Sequence, residues 1–193
     1  MALLPIRIFG DPVLRTRAHV VETFDAALAA LAADLLETMR WAEGAGLAAN
    51  QVGVLKRLFT WEEGQEHGAL VNPEVVELSE ETELGDEGCL SFPGLFYPTE
   101  RPLRARLHAR DVHGDEVEQV AEGLRARIFL HELDHLNGVL FIDHLARHDR
   151  AAALRRVRDG ELEEAARLRD ARPAEVPPRP DGSAPAAGRC GPG

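Results

Sequence analysis

The chain has 193 residues, 45% of them hydrophobic and 28% charged, and a formal net charge of −11. This length suits one domain with its own core, and this charge argues against a protein coated by nucleic acid. No apolar run approaches the roughly 18 residues of a membrane span, and the first residues lack the basic leader and long apolar stretch of a secretory signal. We therefore expect a cytoplasmic monomer without a membrane partner.

The first predicted element is a helix between Thr23 and Trp41. Leucine and methionine recur there at three- and four-residue steps, which is the spacing of a buried helical stripe. Thr23 or Asp25 is suited to cap its start. Gly44 and Gly46 follow the stripe and are expected to end the helix.

Strands are predicted next, at 57–61, at 69–71 and at 75–84, the last on a sheet edge because it carries charged positions. A more regular alternation begins at Pro102 and ends at Asp111. A turn at 113–115 then leads to a partner strand at 116–121, which predicts a hairpin. One face of this hairpin is apolar, and the other is typical of a solvated sheet surface with Arg104, Arg106, His108 and Arg110.

A second helix is predicted from about Glu122 to Leu136, closed by Asn137 and Gly138. Residues 139–142 are expected to form a short buried strand. Residues 148–170 are helical in composition, and Gly160 is expected to break that helix. Beyond residue 171 the chain is mainly proline, glycine, alanine and arginine, which predicts disorder.

These elements indicate an α+β fold, in which antiparallel sheets and a hairpin pack around the second helix. We expect a catalytic domain at 1–146, a C-terminal helical extension at 147–171 and a disordered tail at 172–193.

The second helix carries the sequence His131-Glu132-Leu133-Asp134-His135. Residues four apart share a helix face, so both histidines can reach one metal ion, with Glu132 beside it as a general base for a water activated by the metal. Two surface histidines, or one hydrogen-bonded core histidine, would be the plainer interpretation. A metal is favoured because Leu124 and Ile128 make the histidine face apolar, and inward-facing imidazoles need partners.

A catalytic metal site needs a third protein ligand. The familiar metallopeptidase ligand, a histidine six residues after the second, is excluded because Phe141 stands there. Two alternatives remain open. The first is a glutamate from a later helix, as in another peptidase class. The second is Cys89, since the two cysteines Cys89 and Cys190 are too few for a disulfide framework.

Three segments of the chain resemble the bacterial peptide deformylases in order and approximate spacing. They are Gly44-Ala45-Gly46-Leu47-Ala48-Ala49-Asn50-Gln51, Glu87-Gly88-Cys89-Leu90-Ser91 and the histidine motif at 131–135. The segment at 10–15 and the pair Asn72-Pro73 are also similar, and the resemblance covers roughly residues 5–145. It implies a metal-dependent hydrolase that removes the formyl group from the N-terminal formylmethionine of nascent polypeptides and releases formate.

The resemblance also implies roles for individual residues. Cys89, His131 and His135 would bind one divalent metal, commonly Fe(II), with zinc, nickel or cobalt as substitutes. Glu132 would be the catalytic acid and base. The remaining roles are an oxyanion site formed by Gln51 and the backbone N–H of Leu90, a contact of Gly46 with the substrate backbone, and a methionine pocket lined by Ile128 and Leu124. Glu87 is expected to be structural, bonding within its loop.

Two functions other than deformylation are also compatible with the sequence. One is a metallopeptidase with Glu161, Glu163 or Glu164 as third ligand, and the other is a non-catalytic relative that binds formylated peptides or uses its metal structurally. A basic run near the C-terminus raises the question of a transient ribosome contact. Acidic neighbours dilute this run, so a solvated helix with internal ion pairs is the favoured interpretation for Arg147, Arg150, Arg155, Arg156 and Arg158.

Overall fold

The computed structural model describes residues 2–171. After a short helical turn at Pro12–Arg15 comes helix α1 (Ala26–Trp41). Asp25 caps it by accepting the Leu28 N–H at 2.9 Å. The prediction that Gly44 and Gly46 end α1 is confirmed only in part. The left-handed residue after the helix is Glu43 (φ 59°), whereas Gly44 closes the cap by donating its N–H to the Met39 carbonyl at 2.9 Å, and Gly46 begins the first strand.

Residues 2–171 contain seven strands: β1 (Gly46–Ala48), β2 (Leu58–Glu63), β3 (Glu66–Leu78), β4 (Thr82–Cys89), β5 (Phe92–Pro102), β6 (Arg104–Arg110) and β7 (Glu116–Glu122). Five of them form one antiparallel sheet in the order β1-β2-β3-β6-β7, and β4 and β5 pair as a separate two-stranded sheet. The predicted α+β class is confirmed.

The hairpin of β6 and β7 is confirmed, with a register that runs from Arg104 opposite Glu122 to Arg110 opposite Glu116. Its apolar face is buried and its basic face is solvated. Arginines on that face pair with glutamates, for example Arg106 with Glu77 at 2.7 Å. Exposed pairs of this kind contribute little to stability.

The predicted strand at 75–84 is wrong as a single element. β3 ends at Leu78 and lies inside the large sheet between β2 and β6, whereas β4 begins at Thr82 in the other sheet. The chain turns between them, where the Ser79 hydroxyl donates to the Glu81 carbonyl at 2.7 Å and accepts the Arg104 N–H at 2.9 Å.

Helix α2 (Leu124–Leu136) follows Gly123 and ends at Asn137, close to the predicted limits. It packs on the large sheet, where the Phe129 ring lies 5.8 Å from that of Phe59 and 5.2 Å from that of Trp61. This packing fixes the rotation of α2, and so decides which of its side chains face the cleft beside the sheet.

The predicted strand at 139–142 is wrong. Phe141–Asp143 is a short helical turn, and the Asp143 carboxylate accepts the Leu140 N–H at 3.0 Å. The apolar character of this segment reflects burial. Its side chains enter a core cluster that includes Leu14, Phe92, Leu95, Leu140, Phe141 and Ile142.

The C-terminal region forms helices α3 (Arg147–Arg158) and α4 (Glu161–Asp170). The predicted break at Gly160 is confirmed, since this residue has a φ of 81°. The tail predicted at 172–193 lies outside the described residues. Among residues 2–171, no helix has the length and hydrophobicity that crossing a membrane requires.

Candidate active site and metal centre

Three predicted ligands, Cys89, His131 and His135, meet at one point. The Nε2 atom of His135 lies 3.2 Å from Cys89 Sγ and 3.2 Å from His131 Nε2, and one ligand atom from each residue lies within 4.8 Å of the other two. Donor atoms around a tetrahedral zinc-sized ion lie roughly 3.3–3.6 Å apart, given its bond lengths. The spacing and the mixed thiol and imidazole chemistry therefore fit a divalent transition metal.

The geometry follows from two local elements. α2 places its two histidines one turn apart on a buried face. Cys89 is the last residue of β4, and a register shift between Gly88 and Cys89 interrupts the pairing with β5 there. A bulge re-aims a side chain, and here it accompanies a thiol that lies beside the imidazoles of α2.

Glu87 orients the first histidine. It accepts the Nδ1–H of His131 at 2.6 Å, which leaves the Nε2 lone pair for the metal position. Arg101 donates twice to the same carboxylate, at 2.7 and 2.9 Å. Burial alone would raise the pKa of Glu87, but the hydrogen bonds from Arg101 and His131 lower it well below its usual range. The expectation that Glu87 bonds within its loop is wrong.

The backbone of the second histidine is held from the other side. The Asn50 side chain donates to the His135 carbonyl at 2.5 Å, which ties the segment after β1 to the end of α2. Burial and the neighbouring His131 lower the pKa of His135, so its imidazole is neutral and able to bind a cation.

Glu132 lies beside the ligands and is 3% exposed. Burial, with a smaller contribution from the negative charge of Glu87, raises its pKa to about 7, although His131 opposes this rise. Its Oε2 atom is buried without a hydrogen-bond partner among the described residues. A carboxyl group in this state can hold or release a proton near neutral pH.

Gly46 allows this position of Glu132. A Cβ at Gly46 would lie 2.8 Å from Cδ of Glu132 and closer still to its Oε1. A larger residue would therefore displace the carboxyl group. Gly46 belongs to β1 and lines the cleft, so it is available for the predicted substrate contact.

Gln51 presents the N–H₂ end of its amide to the metal position. Its Oε1 accepts the Ala48 N–H at 2.8 Å, which settles the orientation of the amide. Its Nε2 then lies 3.1 Å from Ser91 Oγ and 3.7 Å from Cys89 Sγ. A fixed amide donor beside a metal is suited to stabilise a developing negative charge on an oxygen.

The site lies in one cleft with a volume of about 670 Å³. Gly46, Gln51, Cys89, Leu90, Leu124, Ile128, His131 and Glu132 all line it, so the predicted site residues are brought together, with His135 behind them. Ile128 is buried and Leu124 lies at the rim, 57% exposed. The rim also includes Phe96 and, from α4, Leu168 and Arg169.

The alternative of a glutamate ligand from the C-terminal helix is wrong. The donor group found among residues 2–171 contains Cys89, and Glu161 on α4 pairs with Arg156 at 2.7 Å. Phe141, at the position of the familiar third histidine, packs instead near the His131 ring at 6.2 Å.

Sequence reasoning missed the charged residues behind the ligands. Arg101 joins Glu87 to Asp134 at 2.7 Å, and Asp134 also binds His144 at 2.8 Å. Arg101 follows Glu100 and precedes Pro102, so its place in the sequence gave no signal that it is buried. Arg169 of α4, which is 7% exposed, gave no such signal because its surroundings in the sequence are polar.

Comparison with known proteins agrees with this site. Residues 3–151 match the family model described as polypeptide deformylase. The peptide deformylase of Thermotoga neapolitana is 47% identical over 154 residues (80% of this chain, 94% of the relative), and that of Acidothermus cellulolyticus is 50% identical over 161 residues (83% and 89%). The crystal structure of a peptide deformylase from Legionella pneumophila matches with a TM-score of 0.79 and 38% identity, covering 89% of this chain and all of that one. The chain therefore belongs to the polypeptide deformylase family.

Proposed function

We propose that this chain removes the N-formyl group from the N-terminal formylmethionine of nascent polypeptides and releases formate. The observation that carries the proposal is the conjunction, at a single cleft, of the Cys89, His131 and His135 donor group, the Glu132 carboxyl and the fixed Gln51 amide. The reaction is amide hydrolysis. Water adds to the formyl carbon, the C–N bond breaks, and the products are formate and a free amine.

Glu132 is the proton carrier in this scheme. Its carboxylate takes a proton from the water that attacks the formyl carbon, and it returns a proton to the nitrogen as the C–N bond breaks. A pKa raised by burial suits both steps, because the group accepts and releases protons with little cost near neutral pH.

Gln51 and the Leu90 backbone N–H are proposed to hold the formyl oxygen as charge develops on it. Removing one such donor costs about 3–4 kcal/mol in other hydrolases. When bound by Cys89, His131 and His135, a divalent metal supplies Lewis acidity, which polarises the formyl carbonyl and lowers the pKa of water.

The rest of the cleft is proposed to bind the peptide. Ile128 and Leu124 lie one and two turns before His131 and offer an apolar wall for the methionine side chain. Gly46, on the strand β1, is proposed to lie against the substrate backbone, where a residue without a side chain allows close approach.

Turnover of formyl-Met-Ala-Ser by the metal-loaded protein tests the proposal, with acetyl-Met-Ala-Ser as control. Formate and a free N-terminal amine should appear in equal amounts from the formyl peptide, with the internal peptide bonds intact. Cleavage of those bonds would favour the peptidase alternative, and no product at all would favour a non-catalytic, formyl-peptide-binding relative.

We propose Fe(II) as the resident metal, although zinc, nickel or cobalt would suit the same ligands. Thiolate ligation of ferrous iron makes the centre sensitive to oxidation. The iron-loaded enzyme should therefore lose activity in air and with peroxide, and the zinc-loaded enzyme should lose it more slowly. An iron form that is indifferent to oxygen would contradict this assignment.

We also propose residues 1–146 as the catalytic domain and 147–171 as its helical extension, in a monomer that acts in the cytoplasm, where its substrates are made. We favour a solvent-exposed α3 without a nucleic-acid partner, because two of its arginines are already paired: Arg150 with Asp143 at 3.2 Å, and Arg156 with Glu161. The alternative, a transient ribosome contact, would use the exposed arginines Arg147, Arg155 and Arg158.

Reversal of the charge of these three exposed arginines tests the ribosome alternative without disturbing α4. Co-sedimentation with ribosomes at low salt should be the same for the reversed variant and the wild type. Weaker sedimentation of the variant would show that α3 is a docking helix.

A further inference from the structure

Arg169, near the end of α4, reaches the active-site turn from far along the chain. Its Nη1 donates to the Leu90 carbonyl at 2.9 Å, and its Nε donates to the Asp170 carboxylate at 2.8 Å. Its Nη2 is buried without a hydrogen-bond partner among the described residues. An arginine that is only 7% exposed is unusual in a protein.

The carbonyl that Arg169 binds belongs to the same peptide group as the Ser91 N–H. This N–H donates to Cys89 Sγ at 3.4 Å. Since the peptide unit is planar and trans, its oxygen and its N–H point in opposite directions. The Arg169 guanidinium and the Cys89 sulfur are therefore hydrogen-bonded to opposite sides of the same peptide group.

A cation on the carbonyl oxygen strengthens the N–H at the other end of the peptide group as a donor, because linked hydrogen bonds polarise one another. N–H donors to a ligand sulfur tune the electron density that the sulfur gives to a metal. The Gln51 amide also donates to this sulfur, at 3.7 Å. The turn also carries the Leu90 N–H, the proposed oxyanion donor.

We propose that Arg169 is a positioning residue for the reaction. It holds the Leu90–Ser91 peptide group and, through the Ser91 N–H, sets the orientation and charge of the Cys89 sulfur. On this basis α4 is part of the active site, which agrees with the presence of Ala165 and Leu168 along the cleft. The inference rests on the proposed function for its kinetic consequence, but its structural part is independent of turnover.

The test compares wild type with Arg169→Met, Arg169→Lys and the control Arg167→Met, an exposed arginine of the same helix. The cobalt-substituted proteins report on the sulfur through their thiolate-to-cobalt charge-transfer band. Arg169→Met should shift this band and lower kcat by about 10-fold or more, with a smaller change in KM. Arg169→Lys should shift the band less and lower kcat less than Arg169→Met does, and Arg167→Met should match wild type in band position and kcat.

A role limited to docking α4 predicts a different result. Arg169→Met would then lower the unfolding temperature, while the cobalt band and kcat stayed as in wild type, and this outcome would overturn the proposal. If wild type itself released no formate, the proposed function would fail, whereas the cobalt band would still decide whether Arg169 acts on the sulfur.

Discussion

At the scale of single residues, the site depends on side chains that have one available orientation. The Gln51 amide is fixed by the Ala48 N–H, and the His131 imidazole is fixed by Glu87. Glu132 has its place because Gly46 has no side chain. Such fixed orientations reduce the reorganisation that a reaction requires, and they make isosteric substitutions informative.

Glu132→Gln keeps the shape of the side chain and removes its ability to carry a proton. We expect kcat to fall by roughly 10²–10⁴-fold, the usual contribution of general acid–base catalysis, while the bound metal stays at the wild-type level. Steady-state kinetics and metal analysis of the same sample check this. Glu164→Gln, an exposed carboxylate on α4, is the control, and a variant that retained wild-type kcat would exclude Glu132 as the proton carrier.

Gly46→Ala introduces a methyl group that collides with the Glu132 carboxyl. Because a displacement of about 1 Å can cost about 10²-fold in rate, we expect kcat/KM to fall by about that factor. Gly68→Ala, on β3 outside the cleft, should change kcat/KM little, since the atoms nearest to its Cβ belong to the Trp61 side chain, at 3.1 Å and beyond, and not to Glu132. Equal kinetics of both variants would contradict the importance of this close approach.

At the scale of elements, the site is the junction of α2 with the β4–β5 sheet. α2 supplies two of the proposed ligands and the proposed proton carrier, and the sheet supplies the Cys89 thiol and the carboxylate that orients His131. Arg101 of β5 and Arg127 of α2 both contact Glu87, at 2.7 and 3.4 Å. The buried acid therefore joins the two elements as well as the metal ligands.

Glu87→Gln removes the charge at this junction. The affinity for the metal should fall about 10–100-fold, the usual effect of losing a partner that orients a ligating histidine. Competition with a chelator measures it. Glu83→Gln, an exposed side chain on the same strand, should leave the affinity unchanged. An unaltered affinity in Glu87→Gln would mean that α2 packing alone orients His131.

The sequence predicted the elements whose pattern is local. Alternating apolar and polar residues predicted the β6–β7 hairpin, because successive side chains of these strands face the core and the solvent in turn. Helical spacing of the apolar residues predicted α1 and α2. The prediction at 139–142 failed because a buried apolar segment was taken for a strand. The prediction at 75–84 failed because this segment contains the end of β3 and the start of β4, which lie in different sheets, and its composition does not reveal the turn between them. A short apolar segment has the same composition in a strand, in a helical turn and at a change of sheet.

The candidate site was predictable where a motif carries its own chemistry. The histidines, Glu132 and Cys89 fall in such motifs, and the structure brings them together. Glu87, Arg101 and Arg169 were not predictable, since their function depends on contacts between segments far apart in the chain, such as the 79 residues that separate Leu90 from Arg169.

At the scale of the whole molecule, contacts between distant segments close the structure around α2. The N-terminal turn approaches the end of α2, where the Ala18 N–H donates to the Leu136 carbonyl at 2.9 Å. Arg15 binds Asp143, which also pairs with Arg150 of α3. One carboxylate thus joins the turn at Pro12–Arg15, the segment after α2 and helix α3.

Asp143→Asn tests this junction through the pH dependence of stability. Burial alone would raise the pKa of Asp143, but the hydrogen bonds from Arg15 and the Leu140 N–H lower it below its ordinary value. A lowered folded-state pKa contributes stability above the unfolded pKa of about 3.9 and loses it as the pH falls through the folded value. The variant should be about 1 kcal/mol less stable at pH 7.

Urea unfolding at pH 7, 5 and 3.5 should therefore show a gap between wild type and Asp143→Asn that is constant down to pH 5 and narrower at pH 3.5. Comparison of the two proteins at the same pH removes any shared effect of acid on the metal centre. A gap that widened in acid would contradict the direction of the pKa shift.

The central claim is that one divalent metal, held by Cys89, His131 and His135, makes this chain release formate. The most direct measurement is an anaerobic titration of the metal-free protein with Fe(II), with formate release from formyl-Met-Ala-Ser followed at each step. The rate should rise in proportion to metal up to one equivalent and then level off, and Cys89→Ala should stay near zero. Formate release without metal, or at the wild-type rate by Cys89→Ala, would contradict the account.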